Sequence, residues 1–354
     1  MIETFTPPQT KTRLAFIGTG WIGLSRMRSL LKEQICKPVA VMDTSSANIQ
    51  LAIESAPEAR VHESLESLLS EKPDGMVIAT PSAMHAEQSI AALKRGIPVF
   101  CQKPLARNAQ ETMDVINAAR KANKRLGVDL SYRYTQGMRK IYQLTRNNEL
   151  GSVYAIDLVF HNAYGPDKAW FYNPALSGGG CLVDLGIHLV DLALWILDFP
   201  EVKTVNSVLM AKGKIIDDPE ISICEDYVSA QMVTHTGVNI RLNCSWNLQA
   251  GQDAEIKAAY YGTRGSAIFS NVNGSFFDFE TRLCRGTRNE IISHPPDDWG
   301  GRALIAWTKK IGEDDSFSED AMQYYKVAKV LDRIYRHNNP SLVSYSPFKI
   351  MEEL

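Results

Sequence analysis

The chain has 354 residues, 45% of them hydrophobic, and its 38 basic against 40 acidic residues leave a formal net charge of −2. That length exceeds what one core usually organises, so two domains are expected. Interspersed charges of both signs argue against a nucleic-acid face or a membrane surface, and no apolar run approaches the roughly 20 residues of a membrane span.

The first residues, Met1 to Arg13, contain Glu3, Pro7 and Pro8 and no apolar signal-peptide core, so a cytoplasmic protein is expected. Six scattered cysteines (Cys36, Cys101, Cys181, Cys224, Cys244, Cys284) show no C-x-x-C and no zinc spacing, which fits reduced thiols and no metal site. The first predicted strand, Leu14 to Ile17, runs into Gly18-Thr19-Gly20-Trp21-Ile22-Gly23 and then a helical pattern through Leu24, Met27, Leu30 and Leu31. A second strand, Val39 to Met42, ends in Asp43, about 20 residues beyond Gly23, which is the context a dinucleotide site requires. Gly18 makes the tight turn, Gly20 admits the pyrophosphate, and Gly23 packs helix on strand. Trp21 and Ile22 complete the loop, and the helix N-terminus offers its free N–H groups to the anion. Asp43 would accept the adenosine ribose hydroxyls. No basic residue follows it in Thr44-Ser45-Ser46, so NAD is expected over NADP; a plain strand-end acid is the alternative.

Three further apolar strands follow: Met76 to Ala79, Val99 to Cys101 and Leu126 to Leu130. Near-continuous apolar strands alternating with amphipathic helices predict a doubly wound parallel sheet in residues 1–130. Loops after its strands' C-terminal ends should line the cofactor crevice. They carry Thr80-Pro81-Ser82 with His85, then Gln102-Lys103-Pro104, then Ser131-Tyr132-Arg133-Tyr134. Thr80 and Pro81 are expected at the cofactor; His85 either touches it or caps its helix locally.

From 131 to 354 an α+β domain with a large, mainly antiparallel open sheet is expected. Its strands read as Val153 to Phe160, Thr204 to Met210, Tyr227 to Val233, Val238 to Trp246, Asp253 to Tyr261, Ser266 to Phe269 and Phe276 to Leu283. His161, Tyr164 and Trp170 follow the first of these, with rings suited either to sugar C–H faces or to loop packing; Trp246 reads as core. After Gly178-Gly179-Gly180 comes an apolar helix bearing Asp184, His188, Asp191 and Asp198. At helical pitch these four fall within roughly 80° of one another. A buried carboxylate and imidazole one turn apart can move a proton, or can simply be satisfied by neighbouring backbone. Near the end, Ser318 caps a helix whose stripe (Ala321, Tyr324, Ala328, Leu331, Tyr335) must dock, with the first domain as a candidate partner.

In order, G-T-G-W-I-G, T-P-S-A-M-H, Q-K-P and G-G-G-C-L-V-D-L-G-I-H-L-V-D resemble the Gfo/Idh/MocA oxidoreductases, relatives of glucose–fructose oxidoreductase and inositol 2-dehydrogenase. The resemblance covers essentially the whole chain. It implies a Rossmann domain, a second α+β domain, and hydride transfer between nicotinamide and a sugar, polyol or related ring. Lys103 matches the lysine of the family's E-K-P motif, and Asp184 and His188 match its D-x-G-x-H motif. Asp191 corresponds to an acid one turn on, a candidate acceptor for substrate hydroxyls, and Arg133 is carried over from its turn. Gln102 replaces the usual glutamate, which leaves Lys103 without an adjacent carboxylate; its amide can still reach ribose hydroxyls.

The implied mechanism has His188 take the hydroxyl proton, Asp184 orient the imidazole, and Lys103 hydrogen-bond the reacting oxygen. In some relatives the lysine is assigned the proton transfer itself. Pro104 is a candidate for a cis peptide. Two other functions are open: NAD-dependent glycoside cleavage by transient oxidation and elimination, and a non-catalytic dinucleotide-binding regulator. A sheet with few helices behind it would leave one face bare, so a homo-dimer or homo-tetramer is expected.

Overall fold

The computed structural model describes residues 11–216 and 223–337. The reading of the first ten residues as lacking a signal peptide lies outside them. Six parallel strands form the first sheet: β1 (Thr12–Ile17), β2 (Cys36–Met42), β3 (Arg60–Val61), β4 (Gly75–Ile78), β5 (Val99–Cys101) and β6 (Leu126–Val128), in the order β3-β2-β1-β4-β5-β6. Between them run α1 (Trp21–Glu33), α2 (Ser46–Ser55), α3 (Leu65–Leu69), α4 (Ser82–Lys94) and α5 (Ala109–Ala122). Successive β1 side chains point to opposite faces. Leu14 and Phe16 join a core with Leu24, Met27 and Leu30 of α1, while Ala15 and Ile17 join one with Leu93 of α4 and Val115 of α5. The sheet is therefore doubly wound, as its apolar strands predict.

The second sheet has nine strands: β7 (Val153–Asn162), β8 (Val202–Ala211), β9 (Lys214–Ile215), β10 (Tyr227–Thr234), β11 (Asn239–Ser245), β12 (Ala254–Gly262), β13 (Ser266–Asn271), β14 (Phe279–Arg285) and β15 (Arg288–Ser293). Their order is β15-β14-β13-β12-β7-β11-β10-β8-β9, antiparallel except where β11 meets β7. Helices α6 (Gln136–Arg146), α7 (Pro174–Ser177), α8 (Ile187–Ile196), α9 (Arg302–Glu313) and α10 (Met322–His337) complete the chain. Ile156, Leu158 and Phe160 of β7 and Ile240 and Leu242 of β11 are buried on the side of α8. On the opposite face Val208, Gln231 and Arg241 are exposed.

Three local departures from the sequence reading have physical causes. β14 begins at Phe279 rather than Phe276, because the Ser275 hydroxyl accepts the N–H groups of Phe277 and Asp278 and turns the chain. The helix before α8 opens into a π turn over Leu182–Gly186, and Asp198 lies beyond α8 in a left-handed conformation, exposed and paired with Arg146. Asp198 therefore leaves the expected polar stripe. The stretch Pro174–Ile196 is long and apolar enough to cross a membrane by length and composition alone, but bends at Gly178–Gly180 interrupt its helix and Asp184 and Asp191 its apolar run. Its apolar window is 89% buried inside the protein, so it is an inner helix of this fold.

α10 docks as its stripe requires. The Ser318 hydroxyl accepts the Asp320 N–H at its start, and Asp332 accepts the Ala109 N–H at the start of α5 in the first domain. α9 was not expected, since Gly301 at its N-cap supplies no capping side chain. It returns to the first sheet, where Trp307 packs 5.6 Å from Phe100. Gly75 and Gly127 form the slot: a Cβ at either would lie 2.7 or 2.5 Å from the indole. Trp307→Ala is expected to destabilise the chain by about 3–5 kcal/mol in denaturant unfolding, the usual cost of emptying a buried aromatic site. A loss under about 1 kcal/mol would show that α9 is not integral to the first core.

Candidate functional site

The glycine loop follows β1. Gly18 has φ +81°, and a Cβ there would meet the Ala79 carbonyl oxygen at 2.5 Å. A Cβ on Gly23 would lie 2.0 Å from the Gly18 carbonyl oxygen, whereas at Gly20 the nearest atom is 3.7 Å away. Gly18 and Gly23 are thus demanded by packing, and Gly20 keeps the backbone bare on an open side where a ligand can approach. Trp21, 75% exposed, starts α1, whose N-terminus carries no side-chain cap. At the end of β2, Asp43 accepts the N–H groups of Thr19 (2.6 Å) and Ser45 (2.8 Å) and the Asn48 amide (3.2 Å). These features fit a dinucleotide: free amides for a diphosphate and a carboxylate beside them for ribose hydroxyls.

A cleft of about 1280 Å³ runs from this loop to the π turn. Lys103, after β5, enters it with Nζ 2.6 Å from both the carbonyl and the carboxylate Oδ1 of Asp184. Trp246 donates its indole N–H to the other oxygen, Oδ2, at 3.1 Å. Asp184 therefore partners Lys103 and Trp246, not the imidazole of His188 as the one-turn spacing suggested. The π turn is the cause, since its extra residue alters the helical phase between positions 184 and 188. Trp246 is buried, as expected of core, but also holds the acid.

His188 is packed edge-on against Tyr132, ring centroids 4.8 Å apart, and lines the cleft. Its Nδ1 is buried and has no partner among the described residues, so Nε2 is the nitrogen offered to the cleft. Burial, helped by the charges of Lys103 and Arg26, holds the ring well below the ordinary histidine pKa. The ring is neutral at physiological pH and can accept a proton.

Beneath lies a buried cluster that the sequence reading missed. Arg26 of α1 pairs with Asp129 at 2.6 Å, and the Gln102 amide donates to the same Asp129 oxygen. Gln102 thus spends its amide within the protein, although it still lines the cleft. An acid closing the apolar strand at Val128 was the available signal for Asp129.

Of the expected site residues, Gly18, Gly20, Trp21, Ile22 and Asp43 line the cofactor end of the cleft. Thr80, Pro81 and His85 lie on the adjacent loop, and Tyr164 and Trp170 also line the cleft. His85 is buried, its two ring nitrogens each 2.7 Å from a carbonyl, of Thr80 and of Pro104. Those carbonyls favour the charged ring, but burial outweighs them and lowers its pKa. His85 bridges the cofactor loop and the Lys103–Pro104 turn, whose peptide is cis as anticipated. Besides Gly23, which packs on the Gly18 carbonyl, three candidates stand elsewhere. Asp191 and Arg133 form a buried ion pair with each other, with Gln323 of α10 on the same guanidinium. His161 bonds the Ser245 hydroxyl and stacks on Tyr227. None of the three lines the cleft: Asp191 and Arg133 are buried against each other, and His161 lies on the face of β7 away from α8.

Residues 12–130 match the oxidoreductase family with an NAD-binding Rossmann fold, and residues 138–268 match the GFO/IDH/MocA C-terminal domain. The chain belongs to the GFO/IDH/MocA oxidoreductase family. Among characterised relatives, D-glucoside 3-dehydrogenase of Escherichia coli is 28% identical over 84% of this chain and 87% of its own. Levoglucosan dehydrogenase, solved with NADH and levoglucosan, superposes with a TM-score of 0.77 at 19% identity over 94% of this chain and 98% of that one. A 3-ketoreductase from Actinomadura kijaniata, solved with NADP and TDP-benzene, gives 0.79 at 17% identity over 92% and 98%. At these identities the two structures establish the shared fold.

The electrostatics of this family site give a pH-dependent outcome. In an NMR titration, His188 should remain neutral at about pH 6.5, where an exposed histidine is half charged. The unfolded ring then binds a proton that the folded one refuses, so this residue makes stability fall as pH drops below about 6.5. Lys103→Met removes one opposing charge and should move the His188 midpoint upward. A wild-type midpoint at or above 6.5 contradicts the buried, neutral ring.

Proposed function

We propose that the protein is an NAD-dependent dehydrogenase acting on a secondary hydroxyl of a sugar or polyol ring. The observation that carries this is the Lys103 ammonium held on Asp184 beside the neutral, cleft-lining His188. An ammonium has three N–H donors. Two are used on Asp184, and the third is free for the reacting oxygen. His188 takes that oxygen's proton, and the Lys103 donor stabilises the alkoxide character that develops as it leaves. A nicotinamide held by the glycine loop and Asp43 would supply the acceptor for the hydride of the carbinol carbon. Tyr132 and Trp299, 4.9 Å apart and both buried at the cleft, exclude water around His188. The relative that acts on D-glucosides supports a ring hydroxyl as the reacting group. We take residues 1–130 as the dinucleotide-binding domain and 131–354 as the substrate and assembly domain. The six cysteines, none in a disulfide, favour a reducing cytoplasm.

His188→Ala should leave NAD affinity within a few-fold and lower turnover by roughly 10²–10⁴, the range for lost acid–base catalysis. Lys103→Met should also cripple turnover, and the double variant should lose less than the product of the two, since both groups serve one oxygen. Near-normal turnover in a folded His188→Ala protein would move the proton transfer to Lys103.

The preference for NAD rests on Asp43 and on the absence of a cation in Thr44-Ser45-Ser46. Calorimetric titration of Asp43→Ala should show NAD weakened more than NADP; an unchanged ratio would reduce Asp43 to a strand-end acid. The open face of the nine-stranded sheet supports a homo-dimer or homo-tetramer. Light scattering at micromolar concentration should give two or four chains, and a monomer would rule this assembly out.

A further inference from the structure

Three cations line the cleft among the described residues, and each already has a carboxylate. Arg26 lies 2.6 Å from Asp129, Lys103 2.6 Å from Asp184, and Lys168 2.9 Å from its neighbour Asp167. Asp297 and Asp298 add two more carboxylates to the lining. Their partners, Arg302 and Lys32, lie outside it. Arg and Lys are the side chains that bind a phosphoryl group most strongly. Away from the glycine loop, it would compete with the buried carboxylates of Asp129 and Asp184 for Arg26 and Lys103, and with the exposed Asp167 for Lys168.

Aromatic surface stands beside these charges. Tyr164 is 52% exposed and Phe277 59%, and both line the cleft. Tyr164 packs 6.1 Å from Phe276, and Trp170 stacks 3.8 Å from Phe171. Large exposed rings at the mouth of a cleft mark a surface meant to be covered, and their faces suit a second ring. Resting on the dehydrogenase reading above, we propose that the cleft selects an uncharged glycoside. Its reacting sugar sits at Lys103 and His188, and its aglycone ring lies on the shelf of Tyr164, Phe276 and Phe277. Sugar phosphates and nucleotide sugars are rejected by the paired charges.

The test uses the full chain saturated with NAD and a panel of methyl and phenyl glycosides of several hexoses, the matching hexose phosphates and a nucleotide hexose. Binding is read by calorimetry and turnover by nicotinamide absorbance. The preferred neutral glycoside should exceed its phosphorylated counterpart by about 100-fold or more, the scale of an unrelieved like-charge contact. Phenyl glycosides should bind more tightly than methyl ones, and Tyr164→Ala and Phe277→Ala should narrow that phenyl-to-methyl ratio. Asp167→Asn, which frees Lys168, should raise hexose phosphate binding several-fold. A hexose phosphate or nucleotide hexose that binds as well as the best neutral glycoside overturns the proposal, as does failure of every neutral glycoside to bind. A phenyl-to-methyl ratio near one, or one that neither variant moves, overturns the aromatic shelf. Binding in the expected order without nicotinamide reduction would leave the selection standing and remove the dehydrogenase reading instead.

Discussion

The contact between the Lys103 ammonium and Asp184 joins the two halves of the molecule at the point where chemistry is proposed. Lys103 sits on the turn after β5 of the parallel sheet, and Asp184 in the π turn that precedes α8 of the second domain. Both side chains are mostly buried, at 20% and 16% exposure. A pair taken out of water in this way recovers little net stability, because desolvation offsets most of the attraction. Its contribution is directional. By occupying two of three N–H donors it aims the remaining one, and it supplies the carboxylate that Gln102 does not.

The position of Asp184 is prepared by the glycine run before it. A Cβ on Gly180 would lie 2.0 Å from the Glu225 carbonyl oxygen. The close approach lets the Glu225 carboxylate accept the N–H groups of Gly180 and Leu182 while Tyr335 of α10 donates its hydroxyl. Burial pushes the Glu225 pKa up, and these three donors, with the N–H of Glu225 itself, pull against that shift. α10 in turn is tied to α5 through Asp332 and Ala109. The π turn is thus braced by the second sheet and, through the last helix, by the first domain.

Two polar residues one turn apart on α8 meet opposite fates. His188 lines the cleft against Tyr132, and Asp191 is sealed against Arg133, whose guanidinium also lies over Trp195 and Phe199. The first has a buried nitrogen without a partner among the described residues, whereas the second has both oxygens bonded. A fully satisfied buried pair is structural by construction. The buried, unpaired Nδ1 of His188 costs stability, and its Nε2 is the nitrogen left for a ligand in the cleft.

Much of this was legible in the linear chain because it rests on local rules. The strand, glycine loop and helix around Gly18 to Gly23, the acid at Asp43, and the alternation that makes the second domain a sheet all follow from backbone sterics and side-chain period. Lys103, Asp184 and His188 were likewise visible through motif order. What the chain could not reveal is which of its polar groups spend themselves on one another. Asp184 turns to Lys103 and Trp246, Gln102 to Asp129, Asp191 to Arg133, and α9 folds back into the first core, each across a separation of 27 to more than 200 residues. Spacing along a helix constrains direction but not the neighbour met in that direction, and one extra residue in a π turn is enough to alter it. The inventory of reactive groups was therefore sequence-determined, and their pairing, which leaves His188 and one donor of Lys103 free, was decided only by tertiary packing.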